Sequence, residues 1–230
     1  MSDKRYEANI IRATAVEPAN NLQTTSAPGV WSIDEVVELQ KKEKWPTVGN
    51  FPEGVENVFS TFLYKGTGST QTITNNIDLS GEGGMVWTKS RSDARNHSLH
   101  DSARGVTCLL KPNATNAQYC DATQMASFNS NGFTVGSDGS SNTNGDEYVS
   151  WTFRKKAKFV DIVTFTGTGS ARTVAHNLGS VPGMIMVKIT SGSDAWHVYH
   201  RGLNGGSSPE DYYLQLNNTD AQTIMLLYGT

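Results

Sequence analysis

The chain has 230 residues, and charged side chains make up 18% of it, against roughly a quarter in an ordinary soluble domain. Nineteen Lys and Arg against 22 Asp and Glu leave a formal charge of −3, without the basic excess that electrostatic nucleic-acid binding requires. No apolar run approaches the ~20 residues of a membrane-spanning helix, the first ten residues lack the apolar core of a secretory signal, and two cysteines do not make a disulfide scaffold. A chain of this length can bury a core without a metal or disulfide framework. Gly, Ser, Thr and Asn take the place of the missing charge and favour turns over helices. The composition reads as a β-rich protein, made in the cytoplasm and soluble.

Residues 1–50 differ from the rest. Residues 1–29 are polar and aperiodic, ending in Ser26-Ala27-Pro28-Gly29; such a stretch buries too little apolar area to fold alone and is expected to be an extended arm that orders against a partner. A short α-helix is predicted over about 32–44. Ser32 and Glu35 form a capping box, acidic residues fill the first turn and lysines the last, and Trp45-Pro46 ends the helical geometry. Ile33, Val36, Val37 and Gln40 share a stripe with Leu39 nearby. With the flanking Trp31 and Trp45, residues Trp31, Ile33, Val36, Val37, Leu39 and Trp45 are the candidate partner-binding surface of an attachment segment.

Past Asn50 short alternating runs alternate with turn residues. Residues 58–64 and 71–74 read as strands flanking the turn Gly66-Thr67-Gly68-Ser69, and residues 85–89 as another. Asn131-Gly132 has the character of a tight hairpin turn. Asn144-Gly145 precedes residues 148–153, whose alternating aromatics imply one buried face. Strands at this spacing predict an all-β fold, a sandwich or a barrel.

Internal similarity is the most informative feature. Gly66-Thr67-Gly68-Ser69 recurs 101 positions on as Gly167-Thr168-Gly169-Ser170. Thr72-Ile73 matches Thr173-Val174, and Asn76-Ile77 matches Asn177-Leu178. Gly84-Met85-Val86 with Lys89 matches Gly183-Met184-Ile185 with Lys188, 99 positions on. Ser92-Asp93-Ala94 matches Ser193-Asp194-Ala195, and His97 and His100 match His197 and His200. Thr115-Asn116-Ala117-Gln118 matches Thr219-Asp220-Ala221-Gln222, 104 positions on. The expectation is two tandem β-sandwich-like units, residues 51–157 and 158–230, the second incomplete and lacking the last strands of the first. Either another chain supplies those strands or the polypeptide continues past Thr230, and continuation is the favoured expectation.

Cys108 and Cys120 are equidistant from Ala114 in the turn of residues 112–116 and can face each other across a hairpin, while their counterparts are the apolar Tyr212 and Ile224. The position therefore reads as one that wants packing, and a native disulfide is the minority expectation.

Among candidate chemistries, the spacing His97/His100 and His197/His200 superficially suits a metal, but a strand sends residues three apart to opposite faces and no Cys or acidic cluster accompanies them. They read as structural histidines, with His197, Tyr199 and His200 the candidates for surface recognition. The oxygen-rich residues 138–147 fit Asx turns better than a calcium loop. Gly66-Thr67-Gly68 and Gly81-Glu82-Gly83-Gly84 open no helix after a strand and do not cradle phosphate. Lys89, Arg91, Arg95 and Arg104 read as a solvated loop, and Asp93 and Asp194 as turn caps. No nucleophile elbow is present. Trp87, Trp151, Trp196, Tyr199 and Tyr212 could stack on sugar rings, but fall mostly on core faces. No catalytic residue, metal site or cofactor is assigned.

The run Phe165-Thr166-Gly167-Thr168-Gly169-Ser170, then residues 174–179, then Val181-Pro182-Gly183-Met184-Ile185-Met186-Val187-Lys188 and Trp196-His197-Val198-Tyr199-His200, resembles repeats in virion proteins of marine tailed bacteriophages, often labelled tail fibre or tail protein. Residues 26–46 resemble segments that precede those repeats. The first unit departs from the pattern at Asn75-Asn76 and at Gly83. The resemblance implies the N-terminal part of a tail fibre, docking on tail or neck proteins through residues 1–50 and projecting β modules toward the host for adsorption, usually as a homotrimer, and located in the virion tail. It implies binding without catalysis, with neither nucleic acid nor membrane as partner. A head or neck decoration protein, or a carbohydrate-binding module for host surface glycans, are the alternatives.

Overall fold

The computed structural model describes residues 54–224, together with Asp34 and Glu38, which are helical and exposed. The rest of the expected arm and helix, including Trp31, Ile33, Val36, Val37, Leu39 and Trp45, lies outside the described residues.

The described chain is all-β. The first module holds β1 (Phe59–Lys65), β2 (Gln71–Thr74), β3 (Gly84–Ser90), β4 (Ser98–Asp101), β5 (Gly105–Leu110), β6 (Tyr119–Cys120), β7 (Met125–Asn129), β8 (Gly132–Val135) and β9 (Glu147–Arg154). The second holds β10 (Met184–Val187), β11 (His197–His200), β12 (Tyr212–Gln215) and β13 (Thr223–Ile224). Six strands make one antiparallel sheet in the order β1-β9-β3-β4-β5-β6, three make a second in the order β2-β8-β7, and β10 to β13 form a third in sequence order. β1 and β2 flank the glycine turn as expected but do not pair with each other: β1 pairs with β9 and β2 with β8, so the chain crosses between sheets at residues 66–70.

The first core lies between the six- and three-stranded sheets, built from Tyr64, Ile73, Ile77, Leu79, Val86, Met125, Phe133, Val135 and Tyr148. Each fully buried large side chain there contributes about 1.5–3 kcal/mol relative to exposure. The Tyr64 and Tyr148 rings stack with centroids 5.2 Å apart. Their hydroxyls donate to the carbonyls of Ser141 at 2.7 Å and Gly139 at 2.9 Å, as buried phenols require. Burial, reinforced by Tyr148, drives the Tyr64 phenol far above its ordinary pKa. The accepting carbonyls belong to a one-turn helix, Gly139–Asn142, capped by Asp138 Oδ1, which accepts from Ser140 N at 2.7 Å. Asn142 anchors that turn, its amide donating to the Ser69 and Gly136 carbonyls at 2.6 Å and its oxygen accepting from Thr67 N at 2.8 Å. The oxygen-rich loop is thus used by backbone donors.

β9 has one buried face, as its alternation suggests, and one half-buried face. Tyr148, Ser150 and Thr152 point into the first core, while Phe153 packs with Met85, Leu99, Leu110 and Trp87 against Trp196, Ile162, Met186 and Leu216 of the second module. The half-burial of that second face reflects the central place of β9 between β1 and β3 and the second-module side chains packed near Phe153. Trp196 Nε1 donates to the Lys111 carbonyl at 2.9 Å, and backbone bonds Gln118 N to Thr190 O and Asp194 N to Thr115 O, both 2.9 Å, join the modules. Burial alone would raise the Asp161 carboxyl; N–H donation from Asn177 and Ile162 and the Lys155 ammonium at 3.2 Å hold it below the usual carboxylate range.

The second module repeats the hydrogen bonds of the first. Ser102 N donates to Gly84 O and Arg201 N to Gly183 O, both at 2.9 Å. Thr67 Oγ1 donates to Ser69 O and Thr168 Oγ1 to Ser170 O. His97 N donates to Asn113 Oδ1 at 3.0 Å and Trp196 N to Asn217 Oδ1 at 2.7 Å. Thr88 pairs with Ser98 and Val187 with His197, which fixes the offset at 99 through both strands. The counterpart of His100 is therefore Tyr199 and that of His97 is Trp196: aligning histidine with histidine slips the register by one, because the loop before β11 is one residue shorter than the sequence match assumed.

Cys108 and Cys120 pair directly across β5 and β6, as Tyr212 and Ile224 pair across β12 and β13. Here the expectation of packing alone fails, because the two sulfurs form a disulfide with Cα atoms 4.0 Å apart. The physical reason is the weakness of β6, a two-residue exposed strand at the sheet edge, which has little apolar area to hold it.

Candidate functional site

The features that distinguish the second module gather at β10 and the loop before it. Among the described residues β10 pairs with β11 on one side and has no strand on the other, whereas β3 lies between β4 and β9. Residues 160–166, which correspond to β1, form no named strand because the strand that would hold them, a counterpart of β9, is absent from residues 158–224. Among the described residues Val163, Phe165, Val181, Met184, Ile185, Val187 and Ile189 are exposed.

A cleft of about 400 Å³ opens beside this edge, floored by Leu178, Pro182 and Met184 and rimmed by His200 and Arg201. The first module has a cleft at the matching place, between residues 79–83 and Ser102, closed on its far side by Ala126–Phe128 of β7.

The three residues expected to recognise a surface do not converge. His197 and Tyr199 lie on one face of β11 and His200, with Val198, on the other. The His197 ring meets the Tyr213 ring edge-on at 5.0 Å. His200 Nδ1 accepts from Gly202 N at 3.1 Å, the same turn-closing contact that Asp101 Oδ1 makes with Ala103 N at 3.0 Å. Only His200 reaches the cleft. Of the five aromatics considered for sugar stacking, Trp196 is buried between the modules and Trp87 is committed to Trp151 and to His97, whose Nδ1 accepts from Trp87 Nε1 at 2.8 Å. Burial, and then the Lys89 ammonium, lower the His97 pKa.

Two groups in the first module carry strong electrostatics that the sequence did not disclose. Arg104, expected in a solvated loop, is buried: its Nε donates to Asp101 Oδ2 at 2.6 Å, and its other nitrogens donate to Gln118 Oε1 and to the Leu99 carbonyl. Asp101 also accepts from Ala103 N and Arg104 N, so the pair locks the β4–β5 turn. His100 is fully buried; its Nδ1 donates to the Val106 carbonyl at 2.9 Å and its Nε2 has no hydrogen-bond partner among the described residues. Burial pushes its pKa down to about 4, the Val106 bond opposing and Arg104 assisting. Lys89 and Lys188 each fold back onto the backbone of the following loop, Lys188 reaching Ile189 O at 2.7 Å and Gly192 O at 3.3 Å. Burial lowers the Lys188 pKa, with Asp194 opposing. Asp93 and Asp194 cap matching turns through Ala94 N at 2.7 Å and Ala195 N at 2.8 Å.

Among the described residues no three His, Cys, Asp or Glu side chains come together as metal ligands, and no helix is long and apolar enough to cross a membrane. The sequence pointed to strands missing from the second module but not to β10 as the edge they leave open, because Gly183-Met184-Ile185 was legible only as a repeat anchor and its exposure depends on which strand should lie beside it. No curated protein and no solved structure matches the chain significantly. A family model does, over residues 55–227, and the chain accordingly belongs to the family described as a domain of unknown function, DUF7483.

Proposed function

We propose that the chain is a structural protein of a tailed-phage virion, the N-terminal part of a tail fibre that acts by binding. Residues 1–50 attach it to tail or neck proteins, and the β modules project toward the host. The observation that carries this reading is the duplication itself: one β module built twice, down to matching backbone hydrogen bonds, in a chain whose repeat motifs resemble those of phage tail proteins. Repeated β modules behind an attachment segment suit an appendage that holds its shape while one end is anchored.

Immunogold labelling of virions with antibodies raised against residues 56–224 tests the assignment. Label on fibres, whether they spring from the tail or the neck, supports it; label on the head or neck surface with none on fibres favours a decoration protein and overturns it. The homotrimer part is tested separately by mass photometry of the purified chain, where three copies of 25.0 kDa give about 75 kDa by closed cyclic association.

A further inference from the structure

β9 shapes everything it touches in the first module. Met85, Val86, Thr88 and Ser90, which lie along it on β3, are all at most 8% exposed. Their counterparts at the 99-residue offset, Met184, Ile185, Val187 and Ile189, are between 42% and 50% exposed. Tyr64, which stacks on Tyr148 of β9, corresponds to the exposed Phe165.

Two glycines report on the same neighbour. A Cβ on Gly84 would stand 2.1 Å from the Phe153 carbonyl oxygen of β9, and one on Gly66 would stand 2.1 Å from the carbonyl oxygen of Thr143, in the connection leading to β9. Both positions must be glycine for that segment to fit. The second module keeps glycine at both places, yet around Gly183 the nearest atom is Arg201 Cδ at 3.6 Å, and around Gly167 nothing lies within 4 Å. The clearances are present and empty.

We infer that the outer edge of β10 is a docking site for an extended polypeptide strand of β9's pattern, running antiparallel to β10. The occupant carries small or β-branched residues where β9 has Ser150 and Thr152, and aromatic residues where it has Trp151 and Phe153. Its backbone completes the ladder, and its arrival covers Ile185, Val187 and Phe165 and gives residues 160–166 a partner. A second copy of this chain is not the occupant: its own β9 is enclosed between β1 and β3, and pairing β10 with β10 leaves the space at Gly167 unfilled. The inference is independent of which virion part the chain belongs to.

The test adds a synthetic peptide of residues 142–155 to the full chain and follows backbone hydrogen exchange at residues 184–189. The expected result is saturable slowing by about tenfold or more. It is abolished by Gly183→Ala, whose added methyl has room in the free chain but strikes the incoming strand. Three results overturn the inference: no slowing at millimolar peptide, equal slowing by a scrambled peptide or in Gly183→Ala, or protection of the edge that already rises with chain concentration alone.

Discussion

At His100 the fold commits to an uncharged imidazole, enclosed, with one ring nitrogen donating to Val106 and the other without a hydrogen-bond partner among the described residues. Its folded pKa of about 4 lies below the ordinary value of 6.5, so between those values the unfolded chain binds a proton that the folded chain does not. Stability from this source is full above pH 6.5 and falls as the pH drops toward 4, by about 3 kcal/mol at 1.36 kcal/mol per unit. Urea denaturation midpoints measured from pH 7 to pH 4 should show this decline, and the His100 ring resonances should titrate near pH 4; a midpoint near 6.5 contradicts the burial argument. None of this was readable from His97-Ser98-Leu99-His100 as letters. Strand alternation does separate His197 from His200 on β11, but His97 precedes β4, and that His100 faces the core depends on a register legible only once hydrogen bonds fixed the offset. Arg104 was hidden for the same reason, since its partner Asp101 lies three residues away at a turn whose geometry the sequence does not specify.

Strands and turns were the most legible scale. β2, β3 and β9 fall where alternation placed them, and the turn at Asn131-Gly132 joins β7 to β8. Sheet membership was not legible, because β1's partner lies more than eighty residues away and no local signal names it. Paired glycines turn this into a measurement. Gly84→Ala should lower stability by about 1–3 kcal/mol, since the methyl has to displace β9, whereas Gly183→Ala should change it by less than about 0.5 kcal/mol. Equal effects in thermal denaturation would show that the two positions do not differ as described. The covalent tie across β5 and β6 makes a second prediction at this scale. Its cysteines are 12 residues apart, and opening a loop of this size costs about 3 kcal/mol. Cys108→Ser should lose that amount in denaturant titration, and thiol counting of the unfolded wild-type chain without reductant should find no free thiol.

Across the molecule, the tandem arrangement could be read from matched motifs, but not the way the modules meet. Trp196 is the clearest case: the sequence aligned it with nothing, while the structure places it at the His97 position and buries it against Lys111. Trp196→Ala should cost about 3–5 kcal/mol and split calorimetric unfolding into two transitions, the second module melting first. A single unshifted transition would mean the contact is incidental. The contact has one more property. Met85 and Trp87 of the first module and Met186 of the second come from corresponding strands, and they meet with the same side of each sheet turned inward. The seam is nonetheless lopsided: Met85 is shielded, while Met184, its counterpart on the same side of β10, stays half exposed. Joining the halves therefore leaves the second with a bare margin that the first does not have.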